Sequence, residues 1–370
     1  MTCGLHSVVN DVRTHVVEVV PFEIKVLAAL RHLGRGECWD TIVEACNDLP
    51  SRTTLSSFFK RFVKCMRDTY EDTWIHTPRT ETELQSVLNR SSKRGFPGCL
   101  GYMDGVHVHW DRCPMRWKHQ GIGKNEYPSI GWQCSVNHHR RFMSVSAPAL
   151  GGVNDQTACR TDKFVQQLRH DKLYTDMTYM IYDEDGEIHE ENGLWVNVDG
   201  GYLCVPELLV GNPQDLDHYM NYWTTFMESE RKHVECAFGI LKARFRVLKL
   251  PIRLESFDVI DNMFVTCCIL HNMCLESDGF DDSWNLGTSV DNGSFEEGEN
   301  GYFSDDDHHK FYWSHNLFYD LHPNIDYTTM GSIRCIVGSK HDDMKFCTKR
   351  NKMAKHFYYM FRQHKIDWSK

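Results

Sequence analysis

Apolar residues recur along this chain with two different periods. From about Phe22 to Tyr70 the period is helical. Ile24, Leu27, Ala28 and Leu30 share a face that ends at Gly34 and Gly36, and Trp39, Ile42 and Val43 mark a short helix from Glu37 to Ala45. After a turn at Asn47-Asp48-Leu49-Pro50, Leu55, Phe58, Phe59, Phe62, Val63 and Met66 form the stripe of a third helix. A polar connector, Thr77 to Pro97 with a short helix from Glu81 to Leu88, separates this region from one that reads differently. Runs rich in β-branched and aromatic residues predict strands over Cys99–His109, Ser129–Asn137 and Phe142–Ala147, and shorter ones over Trp195–Val198 and Leu208–Val210. Helices are predicted from Thr157 to Leu168, from Tyr219 to Leu248, and from Val259 to Leu275, the last apolar nearly all round. Strands first, then strands alternating with helices, predict an α/β layer arrangement.

Composition narrows the class. Apolar content of 41% and charged content of 25% are those of a globular chain, and 370 residues suffice for one large domain with a smaller one. The formal charge of −10 is unevenly spread: residues 276–307 carry 11 acidic groups and no Lys or Arg, whereas residues 308–370 are net basic. The acidic segment is also rich in Gly, Ser and Asn, the composition of a linker. In the basic segment, Lys349, Arg350, Lys352 and Lys355 read as a solvated face or as a nuclear-import or phosphate-contacting patch. The 15 cysteines include no Cys-x-x-Cys pair, so they read as reduced thiols rather than a structural zinc site or a disulfide framework. No apolar run has the length of a membrane span, and the N-terminal residues lack the pattern of a signal peptide. These features predict a cytosolic or nuclear protein without a membrane partner.

The chemistry is carried by carboxylates in unusual settings. Asp104 follows an apolar strand and precedes Gly105. Asp199 does the same after Val196 and Val198, with Gly200 and Gly201 leaving room beside it. In the long helix Val234, Phe238, Leu241 and Phe245 form the buried stripe, and Glu235 lies one position off it, where a carboxylate is expected to be poorly solvated and in need of a cation. Three such groups could converge on hard cations. Asp155, after Gly151-Gly152-Val153-Asn154, is either an accessory carboxylate or the cap of the following helix, the cap being favoured. His107 and His109 share one side of a strand, but no further ligand follows at metal spacing. The third N-terminal helix carries Arg52, Lys60, Arg61 and Lys64 away from its stripe, a helix-turn-helix-like pattern that could contact DNA.

Five ordered motifs give these residues a family context. Pro97-Gly98-Cys99-Leu100-Gly101-Tyr102-Met103-Asp104-Gly105-Val106-His107, Gly151-Gly152-Val153-Asn154-Asp155, Val198-Asp199-Gly200-Gly201-Tyr202, Arg231-Lys232-His233-Val234-Glu235-Cys236-Ala237-Phe238, and Cys268-Ile269-Leu270-His271-Asn272-Met273 together resemble the plant-transposon-protein branch of the PIF/Harbinger transposases. The resemblance implies an RNase H-like catalytic core over residues 98–276, with a mixed sheet flanked by helices. Around it would lie an N-terminal segment (1–21), a helical, helix-turn-helix-like region (22–76), a connector (77–97), an acidic linker (277–307) and a basic aromatic tail (308–370). It implies Asp104, Asp199 and Glu235 as catalytic and metal-binding residues, and His107 as an orienting group. It also implies two Mg²⁺ ions (or Mn²⁺), DNA as substrate, Arg231 and Lys232 as phosphate contacts, a nuclear location shared or not with the cytoplasm, a Myb-like DNA-binding partner, and room for a homo-oligomer. The competing expectation is a domesticated descendant that binds DNA or chromatin without transposing.

Overall fold

The computed structural model describes residues 20–46, 50–124, 126–212, 217–279 and 340–367. The acidic segment expected as a linker lies outside the described residues from position 280 on, as do most of the N-terminal segment and residues 308–339 of the tail.

A mixed sheet flanked by helices organises the chain. Strand β1 (Cys99–His109) is its spine, antiparallel to β2 (Ser129–Val136) and parallel to β7 (Trp195–Asn197), which is parallel to β8 (Leu208–Leu209). On the other side, β3 (Phe142–Val145) and the two-residue β4 (Ala149–Leu150) both pair with β2. Side chains alternate across a strand, so β1 serves two cores. Tyr102, Val106 and Val108 face one that contains Trp132, Phe142, Val234, Leu241 and Phe264. Cys99 and Met103 belong to another, with Trp195, Leu208, Trp223, Phe164 and Phe357. Asp104 falls between Tyr102 and Val106 on the even-numbered face.

The helices follow the predicted stripes. Helix α9 (His218–Arg244) spans both cores, with Trp223 in one and Val234, Ala237 and Leu241 in the other. Helix α10 (Phe257–Ser277) is buried nearly all round, as its composition requires. The N-terminal helices α1 (Phe22–Arg35), α2 (Trp39–Ala45) and α3 (Arg52–Trp74) close over a small cluster of Ala28, Ile42 and Leu55. Ala29, Leu33, Phe59 and Val63, however, join the core of the body. A polar tie reinforces this: Arg67 of α3 ion-pairs with Asp261 of α10, whose other oxygen accepts from the Trp132 indole N–H at 2.8 Å. No helix among the described residues is long and apolar enough to cross a membrane.

Three segments differ from the sequence reading. The connector contains a helix longer than expected, α4 (Glu81–Lys93), whose Leu84, Val87 and Leu88 are buried beneath β1. The single helix predicted from Thr157 is two, α6 (Asp155–Arg160) and α7 (Lys163–His170). The break is made by Asp162, whose carboxylate accepts from the Phe164 and Val165 N–H groups and starts α7; burial pushes its carboxyl up to about 6. After the short α8 (Lys172–Thr175), a stretch for which no strand was predicted forms a separate hairpin of β5 (Thr178–Tyr182) and β6 (Ile188–Asn192).

The basic run in the tail is only partly solvated: Lys352 is exposed, while Lys349 is buried. It lies on α11 (Lys340–Arg362), which docks on α9 and the hairpin and buries Phe346, Met353, Ala354 and Phe357. The Lys349 ammonium is buried and donates to the Gly193 carbonyl at 2.6 Å, Lys352 pairs with Glu191 at 2.6 Å, and Lys355 with Glu184 at 2.9 Å. A backbone carbonyl and two acids of the hairpin supply the partners, a match across about 160 residues of sequence that local patterning cannot reveal.

This docking is sensitive to acid. The buried His356 accepts the Tyr182 N–H at Nδ1 (2.8 Å), and burial lowers its pKa to about 4. The unfolded imidazole titrates near 6.5, so the contact's contribution is whole above that value and is lost as pH falls towards 4. Hydrogen exchange measured at pH 7 and pH 4.5, corrected for intrinsic rates, is expected to show protection falling in α11 and the hairpin before the central sheet. Equal losses everywhere would contradict this.

Candidate active site

The end of the parallel pair β1–β7 leaves an open edge. The last paired residues are Tyr102 and Asn197, so β1 continues past β7 with Asp104 beside uncovered space. The Gly105 N–H donates to the Asp104 carboxylate at 2.8 Å and fixes its near oxygen. Asp199 stands two residues beyond β7, where its carbonyl accepts the Tyr202 N–H at 3.1 Å and closes a tight turn through Gly200 and Gly201. Ends of parallel strands are where an α/β sheet presents side chains to a ligand.

Helix α9 delivers the third arm through a cation. Arg231 and Glu235 are one turn apart on the same flank, and the Arg231 guanidinium is 2.8 Å from Glu235 and 3.4 Å from Asp104. Arg231 therefore joins the helix to the strand. Its side chain is 21% exposed and engages both carboxylates. The prediction that Glu235 is poorly solvated fails, since its side chain is 48% exposed. The helix turns its apolar stripe far enough inward to leave position 235 in the open.

Asp155 joins this group. Helix α6 is capped instead by Asn154, whose side-chain oxygen accepts the Thr157 N–H at 2.8 Å. One Asp155 oxygen accepts from the Gln133 amide at 2.8 Å, and the Gln133 carbonyl accepts from the buried Tyr202 hydroxyl. This pair of bonds fixes the Gln133 amide and aims Asp155. Two glycines make room: a Cβ at position 105 would stand 3.0 Å from the other side chain's Oδ1 at Asp155 and 3.2 Å from Gln133 Nε2. A Cβ at 201 would lie 3.8 Å from Asp155 and 3.9 Å from Asp199, so those two carboxylates border the same space. Burial pushes the Asp104 carboxyl up to about 7, opposed by Arg231 and the Gly105 N–H and assisted by Asp155 and Asp199.

The remaining predicted residues lie elsewhere. His107 has odd parity on β1 and so faces away from Asp104, packed on Gly131 with Nδ1 3.4 Å from the Ser129 hydroxyl. Burial lowers its pKa. His109 stacks on Tyr127, with ring centroids 4.2 Å apart. Arg52 is 3.4 Å from Asp40 and Lys64 2.8 Å from Asp68, while Lys60, Arg61 and Lys232 are exposed. Residues the sequence reading missed are Gln133, Tyr202 and Glu228. Glu228 lines a cleft with Asn197, Asp199, Gly200, Met227 and Arg231, and its position two helical turns before Glu235 is the signal that could have exposed it. Among the described residues no three His, Cys, Asp or Glu side chains are assembled closely enough to hold a metal ion; between Asp104 and Glu235 the cation is Arg231.

Comparison with known proteins agrees with the motifs. The family model for plant transposon protein matches residues 72–282, more than half the chain. The Arabidopsis thaliana protein named antagonist of like heterochromatin protein 1 is 23% identical over 261 residues, covering 69% of this chain. The match spans 62% of that relative's length. No solved structure matches significantly.

Replacing Arg231 tests its place between the acids. Arg231→Met removes the positive charge and leaves the partly buried Asp104 facing Glu235. Denaturant unfolding at pH 8 without divalent metal is expected to show a loss of about 1–3 kcal/mol, with Arg231→Lys losing less. Unchanged stability in Arg231→Met would remove the bridge from the account.

Proposed function

The chain belongs to the plant transposon protein family, and we propose that it is a DDE-type DNA endonuclease/transposase with an RNase H-like core. In this reading Asp104, Asp199 and Glu235, with Asp155 as an accessory ligand, hold two divalent cations, Mg²⁺ or Mn²⁺, against a DNA phosphodiester. The observation that carries it is the convergence of Asp104, Asp155 and Asp199 at the end of β1 and β7, with Glu235 joined to them through Arg231.

The residues fit hard cations. All four donors are carboxylates, the ligand type that Mg²⁺ and Mn²⁺ favour; burial, with Asp155 and Asp199 beside it, raises Asp104, and a dication there would favour its ionised form. Bound there, such cations lower the pKa of an attacking water and neutralise the leaving oxygen. The protein's own groups do the positioning. Gln133 and Tyr202 hold Asp155 in one orientation, and the Gly105 N–H does the same for Asp104. Arg231 pairs with Asp104 and Glu235 and, released from Asp104, can turn its guanidinium to a DNA phosphate. Exposed Lys60, Arg61 and Lys232 provide further phosphate contacts, with Arg52 and Lys64 held by surface ion pairs that DNA can replace. DNA as substrate implies a nuclear location. A Myb-like partner would supply sequence recognition, and a second copy of the chain would allow two DNA ends to be handled together.

A second reading has its own support. Arg231 already occupies the charge-balancing position between Asp104 and Glu235, and the relative's name refers to heterochromatin rather than to transposition. A domesticated DNA- or chromatin-binding protein could keep the fold and this bridge without cutting. Incubation of the full chain with duplexes bearing the terminal inverted repeats that flank its gene separates the two. With Mg²⁺ or Mn²⁺ the wild type is expected to nick or join these duplexes and Asp199→Ala to lose at least about a hundredfold in rate. Binding without cleavage would favour the domesticated reading, and equal cleavage by Asp199→Ala would sink the catalytic one.

Metal affinity should also depend on pH with a defined sign. A dication needs the ionised Asp104, whose carboxyl is protonated below about 7. Mn²⁺ affinity, measured by calorimetry, is expected to rise from pH 6 to pH 8 and to level off above. An affinity that is flat over this range, or is unaltered by Asp104→Asn, would contradict the assignment.

A further inference from the structure

Helix α9 carries a second charged flank on the side opposite Arg231 and Glu235. At 100° per residue, Glu230 and His233 fall on the other edge of the buried Val234 stripe. Glu230 is 6% exposed, accepts from the Tyr102 hydroxyl at 2.6 Å and pairs with Arg94 at 2.7 Å. The His233 ring stacks on Tyr102, with centroids 5.0 Å apart. Three guanidiniums act on this flank. Arg94 pairs with the buried acid, Arg90 lies one turn before it on α4 and feels Glu230, and Arg140, in the turn between β2 and β3 beside His138 and His139, acts on the His233 ring.

The charges do not balance locally. Glu230 is paired with Arg94 and Tyr102 and acts on Arg90 at longer range, as does the exposed Asp367. Neither Arg90 nor Arg140 ion-pairs with a carboxylate among the described residues. Arg94 Nε and His233 Nδ1 are buried without a hydrogen-bond partner there. An unpaired buried donor forfeits its hydration without a replacement bond, so this arrangement is poor unless something with acceptor oxygens completes it. Burial, reinforced by His139, Arg90, His233 and Arg94, holds the His138 imidazole well below its ordinary pKa.

We propose that this flank is a phosphate-binding site, distinct from the carboxylate cluster, in which Arg90, Arg140 and the free Nε–H of Arg94 take the oxygens of a phosphate group. Glu230 and Tyr102 hold Arg94 in position, and the planar guanidiniums supply the forked donors that phosphate oxygens prefer. The phosphate can belong to a DNA backbone or to a free polyphosphate. The site requires neither a divalent metal nor cleavage, so it stands or falls apart from the catalytic reading.

The test uses the full chain in EDTA. Binding of a labelled random-sequence duplex is measured against NaCl concentration for the wild type, for Arg90→Gln/Arg140→Asn, and for the charge-keeping Arg90→Lys/Arg140→Lys. Thermal unfolding with and without sodium tripolyphosphate runs in parallel. If the phosphate is DNA's, the Gln/Asn variant loses about one to two from the slope of log affinity against log salt and binds roughly 5- to 20-fold more weakly, while the Lys variant keeps the slope. If it is a free polyphosphate, duplex binding is unchanged but tripolyphosphate raises the melting temperature of the wild type and the Lys variant only. The proposal is overturned if neither readout separates the Gln/Asn variant from the wild type, or if both variants lose equally, which would mark the arginines as structural.

Discussion

Like charges cannot be packed at the ends of two adjacent parallel strands without a cation, and Arg231 is the cation this fold provides. Asp104, Asp155 and Asp199 are brought together by three different elements, and Glu235 by a fourth. A guanidinium on α9, bonded to both Asp104 and Glu235, links the helix to the strand and lets the sheet keep its open edge. The same link explains why α9 bridges two cores: its stripe anchors the helix, and its flank balances the site.

The division of β1 by parity organises the rest. Even positions send Tyr102 to Glu230 and Asp104 to Arg231, both on α9. Odd positions send His107 to the opposite face, and Gly105 leaves the space into which Asp155 and Gln133 fit. One helix thus meets one strand face with two charge patterns, acid-rich on one flank and guanidinium-rich on the other. In the proposed reading the first handles metal and scissile phosphate, and the second grips a phosphate elsewhere.

Much of this was legible in the sequence, for definable reasons. The strands, the two long helices and the settings of Asp104 and Asp199 were readable because periodicity and glycine placement are local signals. The role of Asp155 was misjudged because Asn154 and Asp155 are both good caps, and only the fold shows which is freed by Gln133 and Tyr202. The pairing of Arg231 with the acids was not readable because its two partners are separated in sequence from each other and, in the case of Asp104, by 127 positions from it. The docking of α11 was illegible for the same reason: Lys349 and Lys352 find partners on a hairpin remote in the chain. The plant transposon match covers residues 72–282 and therefore speaks to the sheet and α9, not to α11 or the first two helices.

The central claim is that the carboxylates at the end of β1 and β7 form a site for divalent metal. Anomalous scattering from crystals of the full chain soaked in Mn²⁺ tests it most directly. The account predicts anomalous density bounded by Asp104, Asp155 and Asp199, with the Arg231 guanidinium withdrawn from Asp104 and Glu235 turned towards the ion. Well-ordered carboxylates with no density between them, and Arg231 still bridging Asp104 to Glu235 at saturating Mn²⁺, would contradict it.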